Sequence, residues 1–270
     1  MRKGIKVKNS IFVEKIEYNC NKKLSLINES FSRYALRSIF AGAFLTFTTL
    51  AGIFAADNLN LINNVLGKFA FAFLFSFGLV YILFLNAELA TSNMMYLSAG
   101  TYLKKIKIMD AIKILIVCTL FNLVGALIAS LIIGQSGILN SLNENSILFS
   151  IVQGKLSHSN YEIFNGGILA NIFVNIAIIS YLLMDDSSAK ITVVLSAVFM
   201  FVYIGLDHVI ANFASFSLVL CGGKSELVNG FNFINILRQW SFAFIGNLIG
   251  GAIMGLSYAY YNIKQRLYMD

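Results

Sequence analysis

Charge is so sparse in this 270-residue chain that the gaps between ionisable side chains can be measured one at a time. Residues 38–56 form an uncharged run of 19, bounded by Arg37 and Asp57. Three further runs cover 114–143 (30 residues), 163–184 (22) and 239–263 (25). A helix crossing a bilayer needs about 20 predominantly apolar residues, so each of these four suffices for one span. The other uncharged runs come as adjacent pairs. Residues 69–87 and 89–103 flank Glu88, and 191–206 and 209–223 flank Asp207-His208. Each pair is too short for two full spans and too long for one. One broken helix per pair, a span plus a re-entering half, is the economical reading.

Composition supports a polytopic membrane protein. The chain is 58% hydrophobic and 12% charged, about half the charge of a soluble domain. That excludes a soluble enzyme and a disordered chain. The three cysteines (Cys20, Cys118, Cys221) show no CxxC spacing, so neither a metal site nor a disulfide framework is expected. There is no nucleotide-binding loop, no nucleophile triad and no catalytic carboxylate pair, and the expectation is a non-enzyme without a cofactor. The chain starts with charged residues, which argues against a cleavable signal peptide.

The runs then read whole, broken, whole, and again whole, broken, whole. Two halves follow, about 34–133 and 162–263, with an echo between Asn122-Leu-Val-Gly125 and Asn247-Leu-Ile-Gly250. Three spans per half is odd, so the halves cross the membrane in opposite directions. Inverted repeats with a discontinuous helix in matching positions point to a transport site near the midplane. Sixteen of the 20 Lys and Arg fall on the side of both termini. The net charge of +7 is therefore a topology signal and not evidence of a nucleic-acid partner. Positive-inside predicts cytoplasmic termini in a plasma or inner membrane. Residues 1–33 read as a cytoplasmic segment, with 11–33 amphipathic along the inner face, 34–263 as the channel domain, and 264–270 as a cytoplasmic tail.

The breaks concentrate the polar chemistry. The first is Asn86-Ala-Glu-Leu-Ala-Thr91-Ser-Asn93. A carboxylate at the bilayer centre costs about 2.5–3.5 kcal/mol on insertion scales, so Glu88 needs compensation. The N–H groups of Thr91, Ser92 and Asn93 at a new helix start would supply it, a structural role weighed against substrate contact. The second break is Gly205-Leu-Asp207-His208-Val-Ile-Ala-Asn212. Asp207 would cap the following half-helix. His208 is either a core histidine satisfied by a hydroxyl such as Thr91, or a pore residue meeting the permeant; the matching positions of the breaks favour the pore. Half-helix N-termini at the midplane favour an anion. Lys155, in the Gly154–His158 loop, is a solvated lysine or an anion funnel. Gly246, Gly250, Gly251 and Gly255, with Gly166, Gly167 and Ala170, are packing signals.

At these breaks the chain resembles the formate/nitrite transporter family. The carrying residues are Glu88-Leu-Ala-Thr91, Asp207-His208-Val-Ile-Ala-Asn212, Lys155, and Gly167-Ile-Leu-Ala-Asn171. The resemblance implies an all-α, aquaporin-like protomer of six helices in two inverted repeats, assembled as a homopentamer with a pore in each protomer. It implies that Thr91 hydrogen-bonds His208 at the pore centre, and that Asn171 and Asn212 form a polar patch beside it. Lys155 would draw anions into the outer vestibule, and Leu89 and Phe201 would form the cytoplasmic constriction. The permeants implied are small monovalent anions of weak acids: formate, nitrite or hydrosulfide. Ala90 stands where formate and nitrite members usually carry an aromatic, and Asp207 where they commonly carry Glu; the former tilts the reading toward hydrosulfide.

The mechanism expected is attraction of the anion by Lys155 and the half-helix ends. Passage across an apolar collar then follows, with hydrogen bonding or proton sharing at His208 lowering the cost. Proton-coupled formate or nitrite symport on the same fold is the alternative. An aquaporin-type facilitator is disfavoured, because its Asn-Pro-Ala signatures need proline and this chain has none. Haem binding is disfavoured too, because His158 and His208 make no ordinary axial pair.

Overall fold

The computed structural model describes residues 10–263. The proposed C-terminal tail and the first nine residues lie outside the described residues. All regular structure among the described residues is helical: α1 (Ile11–Glu29), α2 (Phe31–Asn60), α3 (Asn64–Phe84), α4 (Ala90–Tyr102), α5 (Ile108–Gln135), α6 (Ile147–Ser157), α7 (Asn160–Leu183), α8 (Ser187–Ile204), α9 (Val209–Cys221) and α10 (Phe233–Asn262), with two short 3₁₀ turns. Six of these are long and apolar enough to cross a membrane: α2, α3, α5, α7, α8 and α10. The 13-residue α4 and α9 are the half-helices after the two breaks.

Helix ends follow local chemistry. Asn63, Asp186 and Asn232 cap α3, α8 and α10 with side-chain oxygens that accept first-turn N–H bonds. Ser159 and Glu162 form a reciprocal capping box on α7. The two long helices that precede the breaks stop in the same way. Asn86 (φ 56°) and Gly205 (φ 90°) take the left-handed conformation that ends a helix. The next N–H groups, of Ala87 and Leu206, reach back to the carbonyls of Ile82 and Phe201. Without proline, left-handed Asn and Gly do the breaking.

Packing repeats between the halves. Helix α2 packs along α3 and α5, as α7 packs along α8 and α10. Each half-helix lies against a whole helix of the other half, α4 on α10 and α9 on α5. Ten of the 13 residues in each half-helix are buried, against four of 18 in α8, so the half-helices form the molecular centre. The echoing glycines serve the same contact twice. A Cβ at Gly125 would run into the Ile39 carbonyl oxygen, and one at Gly250 into that of Ile168. Close α2–α5 and α7–α10 approach depends on their absence.

One element of this repeat leaves no signal in the uncharged runs of the sequence. Helix α1, joined to α2 through Ser30 alone, buries Phe12, Ile16, Cys20, Lys23 and Ile27 against the bundle. Helix α6 lies between α5 and α7, where only a loop was expected, and buries Leu148, Phe149, Val152 and Leu156. At 11 residues it is too short to span. It stands at the opposite end of the bundle from α1, and the site shows that the two are counterparts.

Candidate functional site

Two buried asparagines hold the breaks open. Asn122 on α5 donates through Nδ2 to the carbonyls of Ser38 (2.7 Å) and Glu88 (2.8 Å), and its Oδ1 accepts from Ala90 N (2.9 Å). Asn247 on α10 donates to the carbonyls of Gly167 (2.8 Å) and Asp207 (2.8 Å), and accepts from Val209 N (2.8 Å). In both halves one amide side chain satisfies the orphaned backbone of a break and ties it to two helices. Both asparagines are fully buried.

Each break then presents a buried carboxylate to a lysine from a helix outside the six spanning ones. Lys23 Nζ of α1 lies 2.5 Å from Glu88 Oε2, and Lys155 Nζ of α6 lies 3.1 Å from Asp207 Oδ1. The asparagine five residues on supports each: Asn93 to Glu88 at 3.4 Å, Asn212 to Asp207 at 3.3 Å. Asp207 has a further donor, Gln239 Nε2 at 2.8 Å. These ion pairs offset much of the cost of burying the carboxylates.

Between the two breaks, Thr91 of α4 meets His208. Thr91 Oγ1 and His208 Nε2 are 2.8 Å apart, and both residues are buried. The other ring nitrogen of His208, Nδ1, accepts a bond from Ala211 N (3.1 Å). Nδ1 therefore keeps its lone pair, the proton of the neutral ring sits on Nε2, and Nε2–H donates to the Thr91 hydroxyl oxygen. Cap and tautomer are one feature: the ring that starts α9 is fixed by the helix it starts. Leu89 occupies the corresponding place at the N-terminus of α4 and has no capping side chain. The centre is therefore one-sided, with a polar ring facing from α9 and an apolar residue from α4.

A cavity of about 560 Å³ opens on the α6 face. Lys68, Lys155, His158, Phe201 and Asn212 are among its lining residues, and no carboxylate side chain of the described residues is among them. Phe201 closes it toward His208, with ring centroids 5.7 Å apart. Lys68 stands over the Tyr203 ring at 5.2 Å.

The family described as "Formate/nitrite transporter" matches residues 10–261, which takes in the six-span bundle and both breaks. The chain belongs to the formate/nitrite transporter family. Among its relatives in that family, it is 26% identical over 252 residues to "Uncharacterized transporter YwcJ" of Bacillus subtilis (strain 168), covering 93% of this chain and 97% of that protein. It is 28% identical over 237 residues to "Formate channel BtFdhC" of Bacillus thuringiensis, covering 86% and 88%. Two solved structures share the fold. An "FNT family ion channel" superposes with TM-score 0.84 at 24% identity, covering 92% of this chain and 98% of that one. A "Pentameric formate channel with formate bound" gives 0.73 at 22%, covering 86% and 97%.

Several residues fall differently from what the sequence led one to expect. Glu88 does not cap α4. Its carboxylate takes Lys23 and Asn93 side chains, while Asn122 meets the first N–H group. Asp207 does not cap α9 either; His208 does, and Asp207 takes Lys155, Gln239 and Asn212. Lys155 lies in the last turn of α6, with Nζ also donating to the Leu206 carbonyl (3.2 Å), and is not a solvated loop residue. Asn171 donates to the carbonyls of Thr91 (3.2 Å) and Asn247 (2.6 Å), so it positions Thr91 through the backbone. Asn212 lines the cavity beside Asp207. Phe201 lines the α6-side cavity and Leu89 is not among its lining residues, whereas the resemblance implied one constriction formed by both. Lys23, Asn122 and Asn247 were not among the expected site residues. The echo of Asn122 with Asn247 was the signal for two of them; Lys23 left none.

Proposed function

We propose that the chain is a membrane channel passing small monovalent weak-acid anions through a path within each protomer, with Thr91 and His208 at its centre. The observation that carries the reading is the 2.8 Å contact between these side chains where the two half-helix N-termini meet. A bare anion there faces apolar walls, and the helix ends and Nε2–H supply partial positive charge where it is costliest to be without it. The α6-side cavity, with two lysines and no lining carboxylate, gathers anions before that step. Lys155 and Asn212 hold its floor around Asp207, Phe201 narrows it, and Leu89 forms the apolar side of the centre.

Ala90, at the first position of α4, favours hydrosulfide among the permeants, while formate and nitrite are those the family's name carries. The positive-inside balance supports a plasma-membrane protein with both termini cytoplasmic, which makes the α1 face inner and the α6 cavity outer. A homopentamer is the assembly in keeping with the pentameric structural neighbour.

The test is competitive flux of hydrosulfide, formate and nitrite into proteoliposomes of the purified protein across a pH series. Uptake of at least one anion above empty liposomes, inhibited by the others, is expected. No flux of any of the three at any pH would defeat the proposal.

A further inference from the structure

The α6-side cavity holds a titratable group that the path through Thr91 and His208 leaves unused. His158 is the residue that ends α6, and it lines the cavity with Lys68 and Lys155. Its Nδ1 lies 3.6 Å from Asp207 Oδ2, while Lys155 Nζ lies 3.1 Å from the other oxygen, Oδ1. One carboxylate is thus faced by two bases, one on each oxygen. The His158 side chain is 40% exposed, yet Nδ1 itself is buried and has no hydrogen-bond partner.

The surroundings hold this arrangement in place. Gln239 pins the Oδ1 side of Asp207 at 2.8 Å, so the carboxylate is not free to turn toward the ring. Arg238 of α10 fixes the His158 backbone by donating to its carbonyl at 3.0 Å. The charged groups around the ring are Asp207 from the second break, Lys155 on α6, Arg238 on α10, Glu162 in the first turn of α7, and Lys68 across the cavity on α3. Glu162 is engaged by Ser159 N and Oγ, both at 2.7 Å. Asp207 is the carboxylate that the buried nitrogen faces.

A neutral ring makes no bond across 3.6 Å. A protonated one has donors on both nitrogens, and attraction to a carboxylate shortens such contacts to about 2.7–2.9 Å. Asp207 is then shared between two cations, and the hold on Lys155 weakens. The cavity wall also gains one positive charge.

We infer that His158 is the pH-dependent cation of the anion cavity: protonated, it pairs with Asp207, loosens Lys155 toward the cavity and raises the affinity for small anions on that face. The inference rests on the anion-channel reading above. It adds a binding residue that sets loading, distinct from His208 at the centre.

The test uses formate, an anion throughout the range, with equal pH on both sides of the proteoliposome membrane. Between about pH 8 and about pH 5, the interval in which imidazoles titrate, the wild-type apparent KM should fall. One added charge in a wet cavity corresponds to a fall of about two- to fivefold. His158→Gln should lose that fall. A His158→Gln variant with the wild-type KM profile overturns the inference. A second measurement does not need flux. The chain contains two histidines, so histidine-labelled NMR of the reconstituted protein resolves each ring. Proton uptake by His158 across that interval supports the inference, and its absence overturns it. A protein that carries no anion but shows His158 titrating fails the functional proposal and leaves the proton site standing.

Discussion

Replacing Lys23 by Met should destabilise the protein far more than replacing Lys155 by Met, although both lysines pair with the carboxylate of a break. Glu88 is 4% exposed, and its carboxylate accepts from Lys23 at 2.5 Å and from Asn93 at a long 3.4 Å. Lys23→Met leaves a buried carboxylate with one weak partner, and breaking a buried pair from one side costs about 3–5 kcal/mol. Asp207 is as buried, but without Lys155 it keeps Gln239 at 2.8 Å and Asn212 at 3.3 Å. Lys155→Met then removes one charge-assisted bond, worth about 1.5–3 kcal/mol, and the lower end applies because the lysine side chain is 13% exposed. The difference should be about 2 kcal/mol. Glu88→Gln added to Lys23→Met should recover most of the loss, since the uncompensated charge is gone. The assay is equilibrium unfolding in mixed micelles, followed by the fluorescence of the single tryptophan, Trp240, which packs 4.7 Å from the Phe213 ring. Equal stability of Lys23→Met and wild type, or a larger cost at Lys155, would refute the reasoning.

Further predictions follow from the same contacts. Asn122→Leu and Asn247→Leu each remove three hydrogen bonds to backbone groups, among them the one to the first N–H of a half-helix, and each should cost about 3–5 kcal/mol by the same unfolding assay, with the two within about 1 kcal/mol of each other; a silent change at either breaks the symmetry argument. Gly250→Val drives a side chain into the Ile168 carbonyl and should cost at least about 1–3 kcal/mol, whereas Gly154→Ala meets nothing within 4 Å in the interior of α6 and should stabilise by about 0.5–1 kcal/mol. Burial pushes the Cys20 thiol, on α1, up to about 11. A raised thiol pKa means less thiolate, about one molecule in a thousand at pH 8. Maleimide should therefore leave Cys20 unlabelled in the folded protein and label it after denaturation, as read by mass spectrometry.

Much of the architecture was legible because the bilayer imposes lengths. Uncharged runs long enough to span had to be helices, and ionisable residues inside them had to mark interruptions. Glu88, Asp207 and His208 stood out for that reason, and the structure puts them at the two breaks. Three things were hidden. Helix α6 is too short to register as a span, and its amphipathic run lies among polar residues. The partner of Glu88 is 65 residues away on a helix whose lysines look alike in sequence; only the fold shows that Lys23 points inward and Lys22 reaches Asn86 at the rim. Local capping by Glu88 and Asp207 was a sound inference from neighbouring residues, but the side chains of Asn122 and His208 reach the orphaned N–H groups first. The Asn122–Asn247 echo was visible as a repeat, and its role depends on long-range contacts that sequence spacing does not encode.

The most direct test of the account is formate, nitrite and hydrosulfide flux through His208→Ala and Thr91→Ala measured side by side in proteoliposomes. Each variant removes one half of the 2.8 Å contact. The account predicts that both lower flux of the permeant anion and flatten its dependence on pH, with similar effects because the pair acts as a unit. Unchanged, pH-dependent flux of all three anions in either variant would contradict it.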